Sequence, residues 1–237
     1  MIKRFFESGR RVATALFFPL YCPNCHSQWD QIRISSDGRT DSIGNGWICP
    51  DCWSVLPIAQ PFPWYNDPLL EGRVTTIYKY GGVMKEMIHR MKFGGRWDIG
   101  VELGLRSADQ LVRLLDKKWS VIVPVPLHPI RMRRRGYNQA LIIARSIAKR
   151  LNLPIRTDLI RRIRDTYPQS KLSQKERLIN VQGAFAPYAP NCPIKPIPDG
   201  TLLLVDDVIH TGATVRACLI ALKSIGFNNV HILAIVR

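Results

Sequence analysis

Acidic residues are scarce in this sequence. The 237 residues include 18 Asp and Glu against 34 Lys and Arg, so the formal net charge is +16 at pH 7. The excess is concentrated, because residues 121–180 hold 14 basic and 3 acidic side chains. Such a field favours a polyanionic partner or an anionic substrate. A well-solvated basic surface is the alternative that composition leaves open.

A hydrophobic run long enough to span a bilayer is also missing. Near the N-terminus, basic residues precede an apolar stretch at residues 12–21, whereas a spanning helix needs about 20 residues. Pro19 and the bulky Tyr21 do not suit the cleavage site of a signal peptide. We therefore expect a cytoplasmic protein with an N-terminal amphipathic helix, which packs on the domain or lies peripherally at the inner membrane.

Four of the six cysteines form two Cys-x-x-Cys pairs. They are Cys22 with Cys25 and Cys49 with Cys52, and 23 residues separate the pairs. Each such turn directs two thiolates to one point, which suits tetrahedral Zn²⁺. Four protein ligands leave no position for substrate, so the predicted zinc is structural. Two disulfides are the alternative, and they would require an oxidising compartment.

The order of apolar and polar segments predicts an α/β fold with a small appendage. A stretch rich in proline and aromatic residues at residues 57–68 suggests two domains, a zinc module at residues 1–60 and a larger domain at residues 61–237. In the larger domain, predicted strands alternate with helices, which implies a mostly parallel sheet. The predicted strands are residues 75–80, 121–126, 202–205 and 231–236, and the predicted helices are 84–91, 98–115, 138–151 and 215–225.

An apolar run that ends in two acidic residues is the most informative local feature. Residues 202–205 are aliphatic, Asp206 and Asp207 follow, and a helical period begins after a short turn. The free N–H groups and the dipole at the start of that helix favour a phosphate. Ionised carboxylates suit the paired hydroxyls of a ribose or a hydrated Mg²⁺ ion. The predicted ligand is a sugar phosphate, and an ordinary acidic strand end is the alternative.

The same segment resembles the phosphoribosyl diphosphate (PRPP) signature of type I phosphoribosyltransferases. That resemblance implies that Asp206 and Asp207 bind the ribose and Mg²⁺. It also implies that the 5-phosphate lies on the turn of His210, Thr211, Gly212, Ala213 and Thr214. His210 departs from the family pattern, which has a small or hydroxyl residue there. Its imidazole either crowds the turn or adds a donor that titrates near neutral pH.

An arginine-rich segment forms the second candidate site. Residues 123–126 read Val-Pro-Val-Pro, and four arginines follow within residues 131–135. The segment places a proline-stiffened turn, then an arginine cluster and Gly136, between a strand and a helix N-terminus, on the same sheet edge as the two carboxylates. Guanidinium groups bind phosphate oxygens in pairs, and glycine permits close approach of the backbone. The predicted ligand is a diphosphate, bound by Arg131, Arg134, Arg135 and Gly136, and a basic surface loop is the alternative.

Taken together, the cysteine pairs, the Val-Pro-Val-Pro-Leu-His…Arg-Gly-Tyr-Asn-Gln-Ala block and the C-terminal signature make the sequence similar to the ComF family over nearly its whole length. The resemblance implies a zinc module followed by a phosphoribosyltransferase domain. It also implies that residues 166–185 contain the flexible loop that closes over substrate in such enzymes. The candidate residues of that loop are Gln169, Ser173 and Arg177.

Family membership further implies a role in natural competence, through the uptake or use of external DNA. The implied partners are PRPP, single-stranded DNA, a competence helicase and membrane DNA-channel proteins. A basic track and exposed aromatic residues are what binding of a single strand requires. The competing hypothesis is an enzyme of nucleotide salvage that transfers phosphoribose from PRPP to an unidentified nitrogenous base. The sequence identifies no nucleophile or general base, so catalytic residues stay unassigned.

Overall fold

The computed structural model describes residues 21–28, 32–34, 40–42, 47–60, 67–114, 119–167, 173–188 and 201–237. The predicted N-terminal helix and Gln169 lie outside these residues. The chain divides into two compact units, and the boundary falls between Leu56 and Pro57. Within the described ranges, no helix combines the length and the apolar character that crossing a membrane requires.

Three short elements make up the described part of the first unit. Strand β1 (Ile32–Ile34) pairs antiparallel with β2 (Thr40–Ser42). Helix α1 (Pro50–Ser54) starts with a proline, at a position where the missing N–H has no helical partner to lose. Trp53 of this helix and Ile48, just before it in the chain, are buried, so the unit has a small apolar core next to its second cysteine pair.

A parallel sheet of four strands forms the centre of the second unit. The strands are β3 (Val74–Tyr78), β4 (Trp119–Pro124), β7 (Thr201–Val208) and β8 (Val230–Val236). Their order in the sheet is β3, β8, β7, β4, and every neighbouring pair is parallel. All of β8 is buried and so are the six central residues of β7. Parallel strands covered on both faces have this continuous apolar character, and the α/β prediction is confirmed.

Six helices accompany this sheet in the described residues of the second unit. Helix α2 (Gly82–Phe93) begins the series, and its apolar residues Met84, Met87, Ile88 and Met91 are buried. Gly104 lies where α3 (Trp97–Leu114) packs against α5 (Gln139–Leu151). A Cβ added at this position would come within 2.6 Å of the Ile143 carbonyl oxygen, so the close approach requires glycine. The bounds are α2 (Gly82–Phe93), α3 (Trp97–Leu114), α4 (Pro129–Arg135), α5 (Gln139–Leu151), α6 (Gln174–Val181) and α7 (Ala213–Lys223).

The arginine cluster, predicted as part of a diphosphate-binding loop, forms a short helix, α4. In α4, Pro129 occupies the first turn, and the His128 side chain accepts a hydrogen bond from the Ile130 N–H as N-cap. Proline is favoured at the first helical position, which Pro129 occupies. Pro124 and Pro126 lie before the helix and do not interrupt it. Gly136 ends α4 with a φ of 80°, in the left-handed region that glycine adopts easily.

A second, two-stranded sheet was not predicted. Strands β5 (Ile160–Arg162) and β6 (Phe185–Pro187) pair antiparallel. Each has only three residues, which is too short for an alternating pattern to be visible in the sequence. The pair joins the two ends of the segment that carries the predicted flexible loop, and it packs beside α7.

Candidate functional site

Two buried carboxylates lie at the carboxyl end of β7. Asp206 and Asp207 are 9% and 8% exposed, and the Asp207 N–H donates to the Asp206 carboxylate at 2.9 Å. Burial, followed by the neighbouring Asp207 charge, raises the pKa of Asp206 to about 8. This carboxyl therefore binds a proton more readily than an ordinary aspartate does. A cationic or hydroxyl-bearing ligand that favours the ionised form must displace that proton.

Lys92 supplies the positive charge beside this pair. Its Nζ lies 3.0 Å from Asp207 Oδ2, and both side chains are largely buried. Lys92 belongs to the last turn of α2, more than a hundred residues before its partner. It is not among the buried apolar residues of α2, and the local sequence assigns it no role. Only the packing of α2 near the end of β7 brings it to the carboxylates.

The turn after β7 has the geometry expected for an anion site at a helix start. Gly212 has a φ of 76° and is the N-cap of α7, which begins at Ala213. The Thr211 hydroxyl is buried and has no hydrogen-bond partner among the described residues. Because a buried hydroxyl without a partner is costly, this atom favours a ligand oxygen nearby.

His210 precedes this turn and faces an aromatic neighbour. Its ring meets Tyr80 edge to face, with 5.6 Å between the ring centres. Partial burial, followed by the positive charges of Arg177 and Lys92, lowers the pKa of His210. The imidazole therefore titrates at a more acidic pH than an unperturbed histidine does.

The arginines of α4 differ in their contacts. Arg131 Nε lies 3.0 Å from Asp165 Oδ1, and its Nη2 donates to the Thr166 carbonyl oxygen. Arg135 donates to Gln139 Oε1 at 3.2 Å, and burial lowers the pKa of its guanidinium. Arg134 is exposed. Arg131, the first predicted diphosphate ligand, is thus already engaged by protein oxygens.

Most of these groups line one cavity of about 730 Å³. It brings together seven predicted site residues, from β7, from the turn after it and from α4. The backbone N–H of Val125 donates to the Val205 carbonyl at 2.9 Å, which holds the ends of the two strands side by side. The predicted residues on the cavity wall are Asp206, Asp207, His210, Thr214, Arg131, Arg134 and Arg135.

Other predicted residues are not on that wall. Four predicted residues lie next to cavity residues in the chain but do not line the cavity. They are Thr211, Gly212, Ala213 and Gly136. Ser173 is the N-cap of α6, where it forms a reciprocal capping box with Glu176. Arg177 lies in the same helix and acts on the cavity through its charge on His210.

Three of the cavity residues that had no predicted role carry a charge or cap a helix. Lys92 is one, and Arg162 of β5 is the second. The third, Asn138, accepts from the Ala140 N–H as the cap of α5 and donates to the Val125 carbonyl at 3.0 Å. It therefore ties the start of α5 to the end of β4. An asparagine just before a helical pattern is a known N-cap signal, but its second bond depends on the tertiary fold.

The four paired cysteines form a compact cluster in the first unit. All four Sγ atoms lie within 4.8 Å of one another, with Cys22 to Cys52 and Cys25 to Cys49 at 3.7 Å. The four are free thiols. The backbone N–H of Cys49 points at Cys22 Sγ, and that of Cys52 points at Cys49 Sγ, each at 3.4 Å. Such donors stabilise thiolates, so the cluster is arranged to hold a metal ion.

Comparison with known proteins assigns a class to the second unit. Residues 137–237 match the family model described as the phosphoribosyl transferase domain. This stretch contains α5, β7 and α7, and hence both carboxylates and the turn that follows them. The chain is a protein with a phosphoribosyl transferase domain.

Curated relatives identify the family more closely. Competence protein F of Haemophilus influenzae is 31% identical over 157 residues, which is 64% of this chain and 66% of that protein. The DNA utilization protein YhgH of Escherichia coli K12 is 29% identical over 75% of this chain and 76% of its own length. Competence protein ComFC of Bacillus subtilis is 29% identical over 82% of this chain and 74% of that protein. The chain belongs to the ComF family.

Proposed function

We propose that this protein is a ComF-type accessory protein in natural competence, in the uptake or use of external DNA, and that it binds PRPP and single-stranded DNA. One observation carries the proposal. Two adjacent buried carboxylates, a helix N-terminus and an arginine-rich helix face a single cavity at the carboxyl edge of a parallel sheet. The names of the relatives, which refer to competence and DNA utilization, supply the biological context.

PRPP fits the order of charges around the cavity. Asp206 and Asp207 accept from the ribose hydroxyls, and the turn from His210 to Thr214 receives the 5-phosphate at the start of α7. Arg131, Arg134 and Arg135 take the diphosphate at the other side, next to Gly136. Gln169, Ser173 and Arg177 belong to the segment that, on this proposal, closes over the bound ligand.

Metal ions complete the proposal. Asp206 and Asp207 would hold Mg²⁺, an ion that prefers carboxylate oxygens and water and that neutralises diphosphate charge when bound. Cys22, Cys25, Cys49 and Cys52 would hold a structural Zn²⁺, because four thiols in one cluster match its tetrahedral preference.

Single-stranded DNA is the proposed partner of the basic surface. Arg133, Arg145 and Lys149 are exposed on α4 and α5, within the segment that holds most of the net charge. Tyr167 belongs to the same basic segment of the sequence, and its side chain is 76% exposed. Its ring provides a surface on which a base can stack. A competence helicase or a membrane DNA channel would deliver or receive the strand at the cytoplasmic side of the membrane.

Transfer of phosphoribose to a nitrogenous base is the second candidate function. Its specific support is an aromatic wall of the same cavity, formed by Tyr80, His89, Phe93 and His210. Flat rings pack against such side chains. In this case the carboxylates stabilise the cationic sugar of the transition state, and the arginines stabilise the departing diphosphate.

Binding of a fluorescently labelled single strand tests the proposal. We expect binding that weakens by about 50-fold between roughly 50 and 200 mM salt, the value for about four phosphate contacts. The triple variant R133Q/R145Q/K149Q should lose this binding. K79Q/K85Q/R113Q removes the same charge from exposed positions elsewhere and should retain most of it. The experiment is repeated with Mg²⁺ and PRPP, because a change in DNA affinity would show that the two sites are coupled.

Two results would contradict parts of the proposal. Absence of binding at low salt excludes the DNA role and favours the transferase. Equal losses in the two triple variants would mean that only the total charge attracts the strand.

A single substitution tests the proposed role of Arg131. Asp165 forms an ion pair with the Arg131 guanidinium, so a diphosphate that binds Arg131 must displace the Asp165 carboxylate. D165N removes this competitor, and we expect a roughly three- to tenfold gain in diphosphate affinity by calorimetry. D158N is the matched control, because Asp158 pairs with Arg156 at the surface. Unchanged affinity in D165N would place the diphosphate away from Arg131.

A further inference from the structure

Arg162 is a buried cation on the cavity wall. It is the last residue of β5 and is 8% exposed. Its Nη2 donates to the Thr166 hydroxyl, and its guanidinium lies 5.3 Å from the centre of the Phe185 ring. The Nε atom is buried and has no hydrogen-bond partner among the described residues. Arg162 is therefore only partly satisfied by the protein.

No carboxylate pairs with Arg162 in the described part of the chain. The neighbouring acid, Asp165, is taken by Arg131, and Asp206 acts on Arg162 through its charge without a direct ion pair. Burial, and to a smaller extent the positive charge of Arg131, lowers the pKa of Arg162 to about 10. It stays protonated at pH 7, so a buried positive charge is left without a counter-ion.

Such an arrangement is costly in the empty protein. A buried charge is normally paired, because the loss of hydration must be offset by a partner of opposite sign. Thr166 and Phe185 offset part of this loss through a hydroxyl and a ring face. The remaining cost falls when an anion enters the cavity, so the arrangement favours the liganded state.

Two guanidinium groups converge at this point. Arg131 donates to the Thr166 carbonyl oxygen, and Arg162 donates to the hydroxyl of the same residue. Two arginines that face one cavity from α4 and from β5 can share the oxygens of one phosphate group. A single carboxylate, Asp165, is too little to neutralise both.

We propose that Arg162 is an anion-binding residue of this cavity and that, with Arg131, it binds a phosphate or diphosphate group of the ligand. The identity of the ligand as PRPP rests on the proposed function, but the anion site does not. No sequence motif predicted a role for Arg162, because β5 is short and Arg162 is one of many arginines in a basic segment.

Paired variants of adjacent arginines test this site. R162M removes the buried charge, whereas R161M removes an exposed charge from the same strand. Calorimetry with diphosphate, ribose 5-phosphate and PRPP should show roughly tenfold to hundredfold weaker binding in R162M. R161M should bind within about twofold of the wild type. R162K keeps the charge but loses the planar fork, and it should lie between wild type and R162M.

A stability measurement separates ligand binding from a structural role. In the absence of ligand, R162M should melt at or above the wild-type temperature, because it removes an unpaired buried charge. The rise in melting temperature that diphosphate produces in the wild type should be lost. An R162M protein that does not fold or melts well below wild type overturns the proposal. Wild-type affinity in R162M overturns it as well.

The three ligands distinguish this proposal from the proposed function. If ribose 5-phosphate is weakened most, Arg162 belongs to the 5-phosphate side, and if diphosphate is weakened most, it belongs to the Arg131 side. Binding of diphosphate but not of PRPP to the wild type would refute PRPP as ligand and leave the anion site intact. Tight PRPP binding that R162M does not alter would refute the role of Arg162 and leave PRPP as the ligand.

Discussion

Replacement of both Asp206 and Asp207 by asparagine is expected to abolish PRPP binding and leave the protein folded. The amides keep the shape of the side chains but lose the negative charge that would hold Mg²⁺ and orient the ribose hydroxyls. Loss of two charge-assisted interactions corresponds to at least a hundredfold weaker affinity, about 3 kcal/mol. Calorimetric titration with PRPP and Mg²⁺ measures the loss. The double variant D109N/D158N changes two surface aspartates and should bind normally.

The single substitution D206N is expected to stabilise the empty protein at high pH. Asp206 has a pKa of about 8 in the folded protein, above its ordinary value of 3.8 in an unfolded chain. The folded state therefore holds a proton that the unfolded state releases, so the free energy of unfolding falls as the pH rises between these two values and levels off above about 8. D206N lacks this titration.

Urea unfolding at several pH values measures the effect. At pH 9, D206N should exceed the wild type by on the order of 3 kcal/mol, since one pKa unit is worth about 1.4 kcal/mol and entering water screens part of the shift. Near pH 4 the two proteins should be similar. Parallel curves across this range would mean that Asp206 is ionised throughout, and would contradict its assignment as the protonated member of the pair.

Loss of one thiol from the four-cysteine cluster is expected to unfold the first unit. Structural zinc contributes its binding free energy directly to folding, and small zinc modules unfold without it. Native mass spectrometry should find one zinc per chain in the wild type and none in C49S. Amide hydrogen exchange in residues 47–56 should become fast in C49S, while exchange in the sheet of the second unit stays slow.

Cys218 provides the control for that experiment. It is a buried cysteine of α7 in the second unit, and C218A should retain the zinc. A wild-type protein that carries no metal and two disulfides among its paired cysteines would refute the zinc site. It would also refute the prediction of a reducing compartment, because such bonds persist in oxidising surroundings.

Local patterns accounted for the elements that need no distant partner. The aliphatic run before Asp206 indicates a buried strand, and the period after Thr214 indicates a helix, whose N-terminus favours an anion. The two Cys-x-x-Cys turns likewise predicted a cluster that the structure contains. Helix α4 was not predicted, because Pro129 permits both a turn and a first helical position, and the local sequence does not choose between them.

The contacts that define the cavity were decided by the tertiary structure. Lys92 reaches Asp207 across more than a hundred residues, and Arg131 is held by Asp165 from a different element. Arg162 looks like any arginine of a basic segment until β5 pairs with β6 and buries it. Hydrophobic periodicity records which face of an element is covered, but it carries no information about which charged groups from other elements end up opposite one another. For this protein, the sequence determined the elements and the chemistry they carry, whereas packing decided which charges are paired and which are left for a ligand.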